Sequence, residues 1–151
     1  MAPTFYFLLL FLIALFAIVR GGVEHRLAIG GCVVATFATN FVMKPISMRF
    51  TGIEYGVLVI DLTLFALFLW LALRSNRFWP LWIAGFHLTS LISHALKALR
   101  LDIMPAAYQV ASQFWSYPIL LIIGIAIWRA ERRRLAGEAG EFPAGPPAAA
   151  A

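Results

Sequence analysis

Five stretches of this sequence each run for 17 or more residues with almost no charge, and that feature constrains the fold of the 151-residue chain more than any other. They cover positions 2–19, 27–43, 55–73, 78–96 and 103–128, and Asp61 is the only Asp, Glu, Lys or Arg inside any of them. A helix that crosses a hydrocarbon core about 30 Å thick needs about 20 predominantly apolar residues. The runs have that length. The composition agrees: 62% of the residues are hydrophobic and 13% charged, against roughly 45–50% and about 25% in soluble domains. A single domain of this size has too little interior to bury such an apolar fraction in water, which excludes a soluble globular fold.

The reading is therefore all-α: a polytopic integral membrane protein, a bundle of five transmembrane helices over residues 1–134. The spans are expected at 2–19, 27–43, 55–73, 78–96 and 107–128, the fifth starting after Pro105 and kinked by Pro118. Asp61 does not forbid insertion of the third. Its cost, about +2.5 to +3.5 kcal/mol, is matched by twelve Leu, Ile, Val and Phe residues at roughly −0.3 to −0.6 kcal/mol each. From 135 to 151 the chain is rich in Ala, Gly and Pro and reads as a disordered tail.

The basic residues orient the bundle. With five spans, Arg20, Arg26, Arg74, Arg77, Arg129, Arg132, Arg133 and Arg134 share one side, against Lys44, Arg49, Lys97 and Arg100 on the other. This bias puts the C-terminus in the cytoplasm and the N-terminus outside. The N-terminal run lacks the basic n-region and the small-residue cleavage site of a signal peptide. Arginines beside a cytoplasmic helix end are accounted for by anionic lipid, so the net charge of +5 gives no argument for nucleic acid. Ten Arg against two Lys, with abundant Ala, points to a GC-rich bacterial genome, and the expected location is the inner membrane.

Ionisable groups within spans are expensive and mark functional sites by default. At 1.5 Å per residue, Asp61 lies ~10 Å, His94 ~5 Å and His87 ~15 Å below the outer boundary. The two histidines are seven residues apart, which places them on one helix face but too far apart axially to share a metal ion. Ser90 lies between them. Gln109, Gln113 and Ser116 form a second polar stripe, and Asn40 and Glu54 sit at the outer ends of their segments. Together these residues outline an outward-facing polar cluster, with Asp61, His87, His94, Gln113, Asn40 and Glu54 as candidate ligand- or proton-binding residues. The competing structural reading makes them interhelical hydrogen bonds.

The cytoplasmic halves of the spans are nearly all apolar, which disfavours a continuous pore. His25, beside Glu24 in a short connection, reads as solvated, Cys32 as a small core residue, and Trp79 and Trp82 as interfacial belt residues. One cysteine excludes an intramolecular disulfide and multi-cysteine metal sites. HExxH, GxSxG, P-loop and GxGxxG patterns are absent, so no catalytic residue and no metal site are assigned. Haem on a His, with Met43 or Met104 as its second ligand, and a quinone held by His94 or Asp61 are the cofactor possibilities. The functional expectation is an accessory or assembly subunit of a larger membrane complex, its partners the bilayer and another membrane protein or a second copy. The alternatives are binding of a lipophilic ligand, haem or quinone, and proton or ion transport.

Overall fold

The computed structural model describes residues 3–42, 55–98 and 114–140. Its architecture there is all-α, with five helices and no strand among the described residues: α1 Pro3–Arg20, α2 Val23–Val42, α3 Tyr55–Arg74, α4 Trp79–Ala98 and α5 Ser116–Gly140. Pro3 opens α1, where its missing N–H is one the helix would leave unpaired anyway. The turn into α2 takes two glycines. Gly21 N–H still bonds Ala17 O at 2.9 Å, and a Cβ there would lie 2.5 Å from that oxygen, so only glycine fits. The α3–α4 turn is built around Ser75. Its N–H bonds Leu71 O at 2.8 Å, and its Oγ donates to Glu24 Oε2 at 3.1 Å and accepts from Arg77 N–H at 3.2 Å.

The helices close into a ring. Each of α1 to α4 packs against its successor in the chain, except that the α4 and α5 contact spans the undescribed residues between them, and α5 packs back on α1. All five helices contribute to the core, with Ala17, Ala28, Phe68, Ile83, Leu120, Ile123 and Ile127 essentially inaccessible. At Gly31 a Cβ would meet Leu67 Cδ2 at 2.5 Å and Leu64 Cδ1 at 3.0 Å. The missing side chain is what lets α2 approach α3 there.

Among the described residues, α3 is the helix long and apolar enough to cross a membrane, and 17% of its apolar window is buried inside the bundle. The apolar run of α1, Thr4–Arg20, is shorter. In α2 and α5 an apolar segment is joined to a polar end: Glu24, His25 and Arg26 open α2, and Arg129 to Arg134 lie within α5.

Three expectations require correction. His25 is 3% exposed rather than solvated, because α2 begins at Val23 and carries it in its first turn, where its ring stacks on Trp79 at 5.0 Å and 8°. Trp79 is accordingly half-buried instead of standing in a lipid-facing belt. Pro118 is the third residue of α5, in the first turn, where proline is tolerated without the kink expected of an interior position. In addition, α5 continues to Gly140, so 135–140 is helical where the composition predicts a disordered tail. Arg, Ala, Glu and Leu are strong helix formers, and they carry the helix beyond its apolar part.

His25 sits before the apolar run that starts at Leu27. Burial, and then the positive charge of Arg77, push its pKa below the usual histidine value, with Glu24 opposing. A group that charges more readily when unfolded contributes stability that is complete above the unfolded pKa and is lost as pH falls below it. Thermal unfolding of the purified protein should therefore shift downward as pH drops below about 6.5, and the shift should be smaller in the His25→Phe variant.

Candidate functional site

The candidate site forms where α3 passes antiparallel to α4. Asp61 and Val59 to Phe65 stand on one helix, His87, Ser90 and His94 on the other, the last three being buried at 6%, 6% and 7% exposure. His94 Nε2 is 2.9 Å from Asp61 Oδ2. His87 Nε2 is 3.0 Å from the Asp61 main-chain oxygen and 4.0 Å from Oδ1. Ser90 Oγ lies 3.5 Å from Oδ2, at the long limit of a hydrogen bond.

Backbone geometry explains how one aspartate reaches two histidines a full two turns apart. Side chains on a helix tilt toward its N-terminus, and carbonyls point toward its C-terminus. On α3 the carboxylate therefore leans toward the end where the antiparallel α4 presents His94, while the carbonyl points toward His87. A carbonyl can only accept, so His87 carries its proton on Nε2. With Asp61 ionised, His94 donates through Nε2 in the same way. The face of Phe68 or its edge closes the site from below, its ring 5.5 Å from that of His87 and nearly perpendicular to it.

Of the sequence-derived candidates, Asp61, His87 and His94 come together, and Asn40 does not join them. Asn40 is exposed on α2, and its Nδ2 donates to Thr36 O at 2.8 Å. Glu54 and Gln113 lie outside the described residues, as do Gln109, Met43 and Met104. Trp115 stacks on Phe86 at 5.5 Å, and Tyr117 stacks on Phe5 and meets Tyr6 edge-on, so their ring contacts lie away from Asp61. A second polar contact was not anticipated. Thr36 Oγ1 donates to Cys32 O at 2.7 Å and accepts from Tyr6 Oη at 3.0 Å, joining α1 to α2; the signal for it is a lone tyrosine within an otherwise apolar run.

This arrangement can accept and pass protons between a carboxylate and an imidazole. It is not arranged as a nucleophile pair, since Ser90 faces Asp61 and Ser93 Oγ donates to Thr89 O at 3.0 Å. No three His, Cys, Asp or Glu side chains among the described residues converge to hold a metal ion. Haem ligation through either Nε2 would first break a bond to Asp61.

Comparison with protein families, with characterised proteins and with solved structures finds none similar to this chain.

Because His87 is held by the main chain, removing the Asp61 carboxylate leaves that bond intact. A double-variant cycle in equilibrium unfolding, using Asp61→Ala with His94→Ala, should give a coupling of about 1–2 kcal/mol. The corresponding cycle with His87→Ala should give less than half of that, and equal couplings would contradict the geometry.

Proposed function

We propose that this chain is an integral membrane protein of five spans, a small accessory or assembly subunit of a larger membrane complex in a bacterial inner membrane. The observation that carries the reading is the apolar outer surface. Phe11 on α1, Phe37 and Phe41 on α2, Leu73 on α3, Leu81 and Trp82 on α4 and Ile125 on α5 are all more than half exposed, Phe41 to 92%. Monomeric soluble proteins rarely expose contiguous apolar patches above a few hundred Å², and this surface extends over every helix. Lipid, or another membrane protein, is the medium that suits it.

The orientation, N-terminus outside and C-terminus in the cytoplasm, is supported by the arginines at one end. Arg20 pairs with Glu131, and Arg26 caps α1 through Ala17 O at 3.3 Å and Ile18 O at 2.9 Å. Arg74 and Arg132 lie over the rings of Trp70 and Trp128 at 5.4 and 4.7 Å. Clustered cytoplasmic Arg with aromatic residues at the interface is the pattern of a helix end leaving the bilayer.

A subunit role is favoured over catalysis or transport by the way the polar groups are used. His94 Nε2 bonds the Asp61 carboxylate and His87 Nε2 bonds the Asp61 main-chain oxygen across α3 and α4, which leaves the lateral faces as the surface available to a partner. The glycines of those faces assist: beside Gly30 on α2 and Gly85 on α4 a Cβ would meet nothing within 4 Å, so another helix has room to approach. A second reading, proton or ion transfer through Asp61 and His94, is supported by the 17% exposure that the Asp61 side chain retains.

Native mass spectrometry of the protein in lipid particles cut from its own membrane distinguishes these. Stoichiometric release with a second polypeptide is the expected result; bare monomer overturns the subunit reading and makes transport the class to test, and a fixed mass excess makes the protein a ligand binder. For topology, Arg26→Cys and Lys44→Cys in a Cys32→Ala background should label from opposite sides of the membrane.

A further inference from the structure

At the arginine-rich end, residues of the α3–α4 turn, α4 and α5 line an open groove of about 480 Å³. One wall is apolar, formed by Phe78 and Trp82 of the α4 side and Ile122 and Ile125 of α5; the rim carries Arg77, Arg129 and Arg133. We propose that this groove is a binding site for one anionic phospholipid, with the phosphate on the three arginines and an acyl chain along the apolar wall. The inference rests on the membrane reading above.

Charge and shape select this occupant. No carboxylate lines the groove among the described residues. The two acidic side chains described at this end are used elsewhere, Glu131 with Arg20 and Glu24 with Ser75. The three arginines therefore line one groove with no carboxylate among its described lining residues, and guanidinium forks match phosphate oxygens in geometry. The rim is also spaced for one headgroup: Arg129 and Arg133 are one turn apart on α5, and the latter's Nε reaches back to Arg129 O at 3.4 Å. Arg77 joins the lining from the α3–α4 turn. Below the rim, Ile122, Ile125 and Arg129 follow helical spacing on one face of α5, so the wall changes from basic to apolar along the axis in the sense a lipid does. A free inorganic anion would use the rim and leave that wall in water. Basic pockets between helices on the cytoplasmic side are the recognised form of anionic headgroup sites.

The test reconstitutes the full chain in phosphatidylcholine vesicles in which either phosphatidylcholine or a minor fraction of phosphatidylglycerol carries brominated acyl chains. Bromine quenches tryptophan on contact, and Trp82 on the groove wall is 63% exposed. Brominated phosphatidylglycerol should quench beyond its mole fraction, and this preference should fall roughly fivefold for each rim arginine removed in the series ending at R77Q/R129Q/R133Q. A variant with the same charge loss outside the groove, R74Q/R132Q/R134Q, should keep the preference.

Equal loss in both triple variants overturns the site in favour of a diffuse basic collar, and so does abolition of the preference by excess inorganic phosphate, which identifies a free-anion site. Quenching by brominated phosphatidylcholine without any phosphatidylglycerol preference overturns the lipid site alone. Absence of quenching even when all of the phosphatidylcholine is brominated overturns the membrane reading itself. A groove triple variant that loses helical circular dichroism is replaced by R77Q alone, for which the roughly fivefold loss is the expected result and an unchanged preference refutes the site.

Discussion

A helix that is apolar on every side has no intrinsic preference for which face it buries, so the few polar atoms it carries decide its neighbours. That constraint governs this bundle. On α3 the deciding group is Asp61, held by His94 at 2.9 Å and, through its carbonyl, by His87 at 3.0 Å. An alternative rotation of α3 would leave a carboxylate facing apolar side chains, and an unpaired ionised group in such surroundings costs several kcal/mol or more. The same logic recurs with neutral groups at the α1–α2 contact, where Tyr6 and Thr36 meet at 3.0 Å, and at the opposite end, where Arg20 of α1 and Glu131 of α5 close the ring. Apolar packing then fills the space these contacts define: Phe68, one side of which meets the His87 ring, is wholly buried in the same core as Ile83 and Ile123.

Much of the site is legible from spacing alone. Asp61, His87 and His94 are related by depth, since antiparallel helices joined by a short turn bring residues equidistant from that turn side by side, and Asp61 falls between the two histidines on that measure. What spacing does not reveal is that both histidines reach the same residue. The axial separation of about 10 Å argues that the two rings act apart; it is bridged because a residue presents two acceptors at different heights, one leaning to each end of the helix. Asn40, grouped with these residues by depth, lies on an exposed face of α2 with its Nδ2 bonded to Thr36 O, and depth carries no information about which way a residue faces.

The misread residues share a different cause. The expectations of a solvated His25 and a disordered 135–140 rest on local polarity, which identifies where an apolar run stops but not where a helix stops. Hydrogen bonding of the main chain continues past the last apolar residue whenever the next residues are good helix formers, as in the Arg, Ala and Glu sequence of α5. In α2 the continuation works backward: Arg26 N–H already bonds Gly22 O at 3.1 Å, and the polar first turn is drawn inside the bundle, where the flat imidazole of His25 finds the flat indole of Trp79. That stack leaves both ring nitrogens of His25 and Nε1 of Trp79 buried without a hydrogen bond among the described residues, a cost of order 1 kcal/mol or more each.

The two ends of the molecule thus handle charge in opposite ways. Around Asp61 the polar atoms are buried, few, and directed at one another, so that their interaction specifies helix packing and leaves little capacity for a further ligand. At the other end the charges are numerous, mostly of one sign, and exposed. Eight arginines occupy that end among the described residues, Arg20, Arg26, Arg74, Arg77, Arg129, Arg132, Arg133 and Arg134, while its described carboxylates are Glu24 and Glu131, so that end is left with excess positive charge. Self-repulsion of that excess opposes compaction, and the bundle can carry it only where counter-charge is always at hand. Under the membrane reading proposed above, an anionic bilayer surface supplies such counter-charge, and the stability of the chain then depends on the lipid beside it.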